Sequence, residues 1–318
     1  MSAGTTLQAA VQRYLKERRQ LGFELTAPAT ELMRFARFAH ARGHAGPLTR
    51  ELQLEWVRQH VRRTSTVTAA RRIEILRPFA AYYRQFEVDT EVLPTHALGR
   101  GHRRLTPHIY TDEEILQLLQ HAARLAPVGG LRPMMYRTLF GLLAAVGLRL
   151  SEALKLQVGD VDLKAETITV RRTKFHKSRC LPIHASVARA LTEYRRMRDR
   201  HVDADPGAPF FVSQTGGFLP KRTVENVFER MRSRLQWQAR GDYANPRLHE
   251  LRHTMAVRRV QLWHERGVSV DHAMFWLCTY LGHAKITDTY WYLTGVPELM
   301  DIVGAKFERF ALAGGGNE

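Results

Sequence analysis

The chain has 318 residues, 44% of them hydrophobic, which is enough for two domains with their own cores and too much for global disorder. Lys and Arg number 48 against 31 Asp and Glu, a net charge of +17 spread along the whole chain; it points to a polyanion as partner, nucleic acid first, with an Arg-rich proteome as the competing explanation. Two cysteines far apart, Cys180 and Cys278, exclude a disulfide framework, and the longest apolar run, Thr138 to Leu148, is too short to cross a bilayer. The N-terminal stretch carries no apolar signal region, so the expectation is a cytoplasmic, nucleoid-associated protein with no membrane contact.

Leu7, Val11, Tyr14 and Leu15 follow helical spacing, and Gly22 is a stop. A second helix is expected over Ala29 to Arg42, with Leu32, Phe35, Ala36 and Ala39 on one face. Thr49 can cap a third, carrying Leu52, Trp56 and Val57. Ser65 or Thr66 opens a fourth with Ala70, Ile73, Leu76, Ala80 and Tyr83 inward; Pro78 lies inside it and should kink or split it. These four helices make a small domain over residues 1–90. Arg62, Arg63, Arg71 and Arg72 lie on its outer faces, either as a solvated surface or as a row of phosphate contacts.

Periodicity disappears from Val88 to His108, where Pro94, Gly99, Gly101 and Pro107 punctuate a stretch bearing Arg100, Arg103 and Arg104. Residues 91–107 read as a basic interdomain linker able to track a DNA backbone. The second domain, 108–318, opens with a capping box, Thr111 to Glu114. A buried helix around Tyr136, Leu139, Phe140, Leu143 and Val146 follows, with Pro133 in its first turn and Gly147 at its end. Arg149 comes directly after it, at a turn that should be partly buried, and Glu152 is close enough to orient it. Strands are scarce: Thr167 to Arg171 and Arg179 to Ile183 read as a hairpin with Lys174 near its tip, and Phe210 to Ser213 is a third candidate. Helices return over His184 to His201 and Thr223 to Trp237, and Pro246 precedes the helix that carries His249. The fold class is mainly α with a small antiparallel sheet: a four-helix domain followed by an α+β domain.

The reactive residues concentrate at 247–292. His249 and Arg252 are three apart on a helix and share a face. His283 follows Leu281-Gly282 at a helix end, and Tyr290 and Tyr292 come soon after. Two arginines can clamp the charge that develops on a phosphodiester under attack. A lysine can protonate the leaving oxygen, and a histidine can take or return the nucleophile's proton. A tyrosine, a weak nucleophile at its ordinary pKa, becomes effective among cations that favour phenolate. Spacing from His283 favours Tyr292 over Tyr290.

The text GLRLSEALKLQVGDVDL around Arg149, TKFHKSRCLPI around Lys174, HELRHTMA around His249 and Arg252, and LGHAKITDTYWYL around His283 and Tyr292 resembles the tyrosine recombinases of the phage integrase family. The resemblance covers about 108 to 295 in order and spacing. The N-terminal helical domain matches the family's core-binding domain in size and place. It implies a site-specific recombinase or integrase in which Tyr292 forms a 3′-phosphotyrosyl link and Arg149 and Arg252 hold the scissile phosphate. Lys174 is then the general acid, His249 an acid/base, His283 a phosphate hydrogen-bond donor and Glu152 the support of Arg149. It also implies no ATP, metal or other cofactor, a homo-tetramer on two DNA duplexes with the free chain allowed to be a monomer, partner recombinases or accessory proteins, and passage through a Holliday junction. The segment 297–312, with Leu299, Met300, Ile302, Val303, Phe307 and Phe310, resembles the C-terminal helix such proteins exchange between subunits. The text WYLTGVPELM resembles transposon-associated members, which suggests a mobile element.

Two alternatives stay in view. His249 to His253 also fits HExxH, the zinc metalloprotease motif; Arg252 on the same face, and Ala256 and Arg259 where a longer motif wants Gly and His, weigh against it. The other is a sequence-specific DNA-binding protein without cleavage, for which the complete set of six reactive residues has no use. Binding to duplex DNA through many phosphate contacts should weaken about a thousandfold or more between 50 and 200 mM salt; a gel-shift series across salt checks this, and a flat response removes the basic-clamp picture.

Overall fold

In the computed structural model the described residues are 6–59, 66–99, 101, 105–171 and 178–291. The chain divides into two compact units, 1–104 and 105–318.

The first unit is built from α1 (Leu7–Gln20), α2 (Thr26–Ala41), α3 (Arg50–Arg58) and α4 (Thr66–Tyr83). Side-chain oxygens start two of them: Thr6 accepts from Ala9 N and Thr49 from Leu52 N. Val11, Leu32, Phe35, Val57, Leu76 and Phe79 are fully buried in its core, and Phe35 meets Trp56 edge-on at 5.2 Å. Helix α2 begins three residues before Ala29, because Pro28 falls in its first turn, where a missing N–H costs nothing.

Pro78 does not split α4, which runs unbroken from Thr66 to Tyr83. A proline inside a helix costs about 3 kcal/mol. Leu76, Phe79 and Ala80, all at 0% exposure, surround it in sequence, and burying side chains of this kind yields roughly 1.5–3 kcal/mol each for the large ones. Packing therefore outweighs the break. The aperiodic stretch after α4 is packed on this unit as far as Gly99. Leu93 is buried, Arg77 Nε donates to Leu93 O at 2.6 Å, and the buried Gln53 donates to Glu91 O at 2.7 Å. Side-chain-to-backbone bonds hold it, and these leave no hydrophobic period to read.

The second unit opens with α5 (Asp112–Ala123), whose capping box is formed: Thr111 Oγ1 accepts from Glu114 N at 3.1 Å, and Glu114 accepts from Thr111 N at 2.9 Å. Helix α6 (Leu131–Val146) lies at the centre and packs against α5, α8 (Ala185–Arg198) and α10 (Glu250–Glu265). Between α6 and α8 come α7 (Leu150–Ala153) and an antiparallel sheet in the order β1 (Val161–Asp162), β2 (Thr167–Val170), β3 (Arg179–Pro182), with Ile168 opposite Leu181. The third strand is thus β1. Phe210 to Ser213 makes only isolated bridges, through Val212 to Phe218 and at Pro209 to Gln157, while Phe210 and Phe211 sink fully into the core. Their apolar run reflects burial, which a short run cannot distinguish from a strand. Helices α9 (Lys221–Leu235), α11 (Val270–Leu281) and α12 (Thr287–Tyr290) are the remaining helices of the unit among the described residues. No helix among the described residues is long and apolar enough to cross a membrane.

Helices α6 and α11 both end on a left-handed glycine, Gly147 at φ 67° and Gly282 at φ 69°. Both are also places of close approach: a Cβ on Gly147 would run into Met255 Cε, and one on Gly282 would lie 2.7 Å from Arg179 Nη1. Gly43, equally left-handed at φ +66°, has open space around it. Alanine at Gly43 should cost about 1–2 kcal/mol for the backbone alone, and alanine at Gly147 clearly more. Thermal unfolding of the two variants checks this; equal losses would mean that the close approach carries no weight.

Candidate active site

A helix ends in carbonyls that lack intrahelical partners and carry partial negative charge. The C-terminal ends of α6 and α11 come together here, and an arginine from the first turn of α10 caps both. Arg252 donates from Nη1 to Gly147 O at 2.7 Å and from Nη2 to Leu281 O at 2.6 Å. Its side chain is only 1% exposed.

Arg149 follows α6 and caps α7. Its backbone N–H donates to Glu152 Oε2 at 3.0 Å, its Nη1 to Glu152 Oε1 at 2.8 Å, and its Nη2 reaches Gly282 O at 3.4 Å. Unlike Arg252 it keeps 35% of its side chain exposed. It opens into a cleft of about 470 Å³ lined also by Lys221, Arg232, Arg247 and His249, with the buried Arg252 in its floor.

Glu152 joins these groups. Burial alone would raise its pKa; the bonds and charge of Arg179, then the N–H and charge of Arg149, outweigh burial and hold it below the ordinary carboxylate value. Arg179, on β3, meets Glu152 with both prongs, Nη2 to Oε2 at 2.9 Å and Nη1 to Oε1 at 3.2 Å. Arg252 stands 4.0 Å from the same carboxylate. Three guanidiniums thus surround one carboxylate and leave a net positive centre.

His283, in the turn after α11, lies with Nε2 2.9 Å from Arg252 Nη2 and Nδ1 2.8 Å from Thr289 Oγ1. Burial first, then the charges of Arg252, Arg149 and Arg179, push its pKa down to about 3. The ring is therefore neutral at pH 7. An arginine can only donate, so Nε2 accepts and Nδ1–H donates to Thr289. The donor role that the resemblance gives His283 requires the other tautomer, with Arg252 turned toward the phosphate. His249, the residue before α10, keeps an exposed edge in a crowded setting; desolvation, then Arg252, Arg247 and Arg149, hold its pKa at about 4. It too is neutral and able to accept a proton. Behind it His253 packs edge-on at 5.2 Å, with a pKa pushed down to about 3 by burial first and then by its neighbours His249, Arg247 and Arg252.

Arg149, Glu152, His249, Arg252 and His283 are thus brought together around one cleft. Lys174 and Tyr292 lie outside the described residues, as do Arg62, Arg63, Arg103, Arg104 and the segment 297–312. Tyr290, 38% exposed, ends α12. In the first unit Arg71 donates to Gly101 O at 2.9 Å, and Arg72 lies over the Trp56 ring and pairs with Glu31 at 3.2 Å, its side chain 13% exposed. Sequence reasoning missed Arg179 and Thr289. Thr289 sits in the quoted text LGHAKITDTYWYL and is fully buried.

Residues 109–296 match the model of the phage integrase family. The chain is 37% identical over 309 residues to a putative integrase/recombinase, y4rB, of Sinorhizobium fredii, covering 96% of this chain and 98% of that one. It is 27% identical to a tyrosine recombinase XerC of Chlamydia caviae over 70% of this chain and 65% of that protein. The chain is a tyrosine recombinase of the phage integrase family. In fold it resembles the Tn1549 transposon integrase in complex with transposon right end DNA, with a TM-score of 0.67 at 18% identity over 96% of this chain and 99% of that one. It also resembles the XerH site-specific recombinase bound to a palindromic difH substrate, with a TM-score of 0.66 at 19% identity over 95% and 85%.

In this recombinase the HExxH text does not read as a zinc site. Glu250 is fully buried and accepts from Arg247 N at 2.7 Å and Arg247 Nε at 3.0 Å, so it faces away from the cleft's solvent. Among the described residues no group of three or more His, Cys, Asp and Glu is placed to hold a metal ion.

The lowered histidine pKa values set a pH dependence. His249, His253 and His283 ionise in the folded chain at about 4, 3 and 3, against 6.5 for the free group. Between those values the unfolded chain binds more protons, so stability is fully present above 6.5 and is lost as pH falls toward the folded values, by at most about 1.4 kcal/mol per pH unit for each of His253 and His283 and by less for the exposed, solvent-screened His249. The melting temperature should therefore drop between pH 7 and 4, and His253→Gln should flatten that drop. An unchanged slope would place the titration elsewhere.

Proposed function

We propose that this recombinase cleaves and rejoins duplex DNA through a 3′-phosphotyrosyl intermediate on Tyr292, and does so for a mobile element. The observation that carries the reading is the arginine pair Arg149 and Arg252, fixed by helix-end carbonyls and Glu152 beside the neutral His249. Such a centre suits the charge that a phosphodiester gains in its transition state, and Arg149 in it is preorganised by its bonds to Glu152.

In the proposed chemistry the scissile phosphate docks on Arg149, and Arg252 turns toward it. His249 accepts the phenolic proton of Tyr292, and the phenolate oxygen attacks phosphorus. The bond from phosphorus to the 5′-oxygen breaks, and Lys174 protonates that oxygen. A phosphate bound among these cations offsets the charges that depress His249, which makes it a better base when it is needed. The phosphotyrosyl ester conserves the energy of the broken bond, so the reverse attack by a 5′-hydroxyl needs no ATP, and the arginine clamp does the work a metal ion would do. Exchange of strands between two duplexes gives a Holliday junction, held by a homo-tetramer, with partner recombinases or accessory proteins admitted.

Duplex DNA as the partner is supported by the net charge of +17 and by the DNA complexes of the Tn1549 integrase and XerH. The role in a mobile element is supported by the likeness to a transposon integrase.

Covalent trapping tests the reading. The chain is incubated in EDTA with a pool of nicked suicide duplexes of randomised core, and SDS-resistant protein–DNA adducts are isolated. The expected result is an adduct that Tyr290→Phe keeps and Tyr292→Phe loses. An adduct lost only in Tyr290→Phe would keep the class and move the nucleophile. Specific binding with no adduct would sink the cleavage mechanism in favour of DNA binding alone.

A further inference from the structure

Glu152 accepts from Arg149 on one side, and its bond to Arg149 is one the proposed reaction cannot use in full, because the same guanidinium has to face the phosphate. A buried carboxylate with a single partner draws that partner toward itself. Arg179 changes the balance. Its two nitrogens meet Glu152 at 2.9 and 3.2 Å, and its side chain is 11% exposed, too enclosed to meet DNA. Its Nε donates to Tyr280 O at 2.9 Å, and its guanidinium lies so close to Gly282 that a methyl there would come within 2.7 Å of Nη1. One side chain therefore ties three parts of the site: the strand that follows the stretch bearing Lys174, the carboxylate that holds Arg149, and the end of α11 from which His283 follows.

We propose that Arg179 is a positioning residue of the recombinase reaction, which saturates the Glu152 carboxylate so that Arg149 keeps its exposed edge for the scissile phosphate. The inference rests on the phosphoryl-transfer reading above. Without Arg179, Glu152 would lean on Arg149 and Arg252 alone, and both would be drawn from the phosphate. Without Glu152, Arg179 has nothing to saturate and only adds repulsion between guanidiniums.

That reciprocity gives the test. Duplexes captured by the wild-type chain serve as substrate, and single-turnover adduct formation, gel-shift affinity and melting temperature are measured for Arg179→Met, Arg179→Lys, Glu152→Gln and the double variant Glu152→Gln/Arg179→Met. Arg179→Met should slow adduct formation about a hundredfold while affinity for the duplex stays within about threefold, since phosphates outside the scissile one carry most of it. Arg179→Lys, which keeps the charge without the fork, should recover part of the rate. In the Glu152→Gln background the same methionine should change the rate by less than about threefold, or raise it. Should Arg179→Met fail to fold through its stranded carboxylate, the comparison of Glu152→Gln with the double variant still decides. Equal losses in both backgrounds, or a double variant that does not fold, would make Arg179 a packing residue and overturn the inference while leaving the reaction intact. No adduct from the wild-type chain would instead overturn the reaction itself.

Discussion

Glu152 is the carboxylate that Arg149 and Arg179 share, and the geometry around Arg149 follows from what surrounds it. Arg149 and Arg179 bond to it directly, and Arg252 stands 4.0 Å away. Three guanidiniums held this close without a counter-charge would repel one another, and a lone carboxylate buried to this degree would be protonated. Together they are stable and still net positive. The same carboxylate also accepts from the backbone N–H of Arg149, so it fixes the turn between α6 and α7 as well as the side chain beyond it. Charge and backbone direction are thus set by one group.

The second constraint is the pair of helix ends. Carbonyls at the ends of α6 and α11 accept from Arg252, and Gly282 O accepts from Arg149. A left-handed glycine at each end turns the chain sharply enough to leave those carbonyls pointing at the arginines, and its missing Cβ lets Met255 and Arg179 close in. Arg252 spends its donors on protein oxygen atoms and on His283, which is why it is sealed while Arg149 is open. In the proposed reaction a phosphate entering the cleft meets Arg149 first and competes with Gly147 O and Leu281 O for Arg252.

Much of this was legible in the sequence, because the signals were local. The capping box at Thr111 to Glu114, Pro133 in a first turn, Gly147 as a stop and the spacing of His249 and Arg252 each depend on neighbours within one helical turn. Glu152 was readable for the same reason, three residues from its arginine. Arg179 was not, since its carboxylate lies 27 residues away and no spacing rule connects a strand residue to a helix turn. Thr289 escaped because a buried hydroxyl beside a histidine has no pattern of its own. Pro78 misled because local backbone chemistry argues for a break, whereas the unbroken helix reflects tertiary burial of its neighbours. Loss of periodicity over residues 91–107 read as a basic interdomain linker, and it could not show that backbone carbonyls bonded by Gln53 and Arg77 hold its first part on the first unit.

The electrostatics also explain a division of labour between residue types. A guanidinium stays charged at any pH a protein survives, so arginine can hold a phosphate without taking part in proton transfer. Desolvation first, and then that permanent charge, keeps His249 and His283 neutral. In the proposed reaction His249, the group that accepts the proton, is thereby kept free of one until an anion arrives to soften the field around it. The clustered guanidiniums repel one another, and in the proposed reaction a phosphate bound among them relieves that repulsion, so ligand binding and stabilisation of the unit are coupled through the same few side chains. In the proposed reaction clamp and base therefore need no separate switch: the anion to be cleaved also offsets the charges that depress His249.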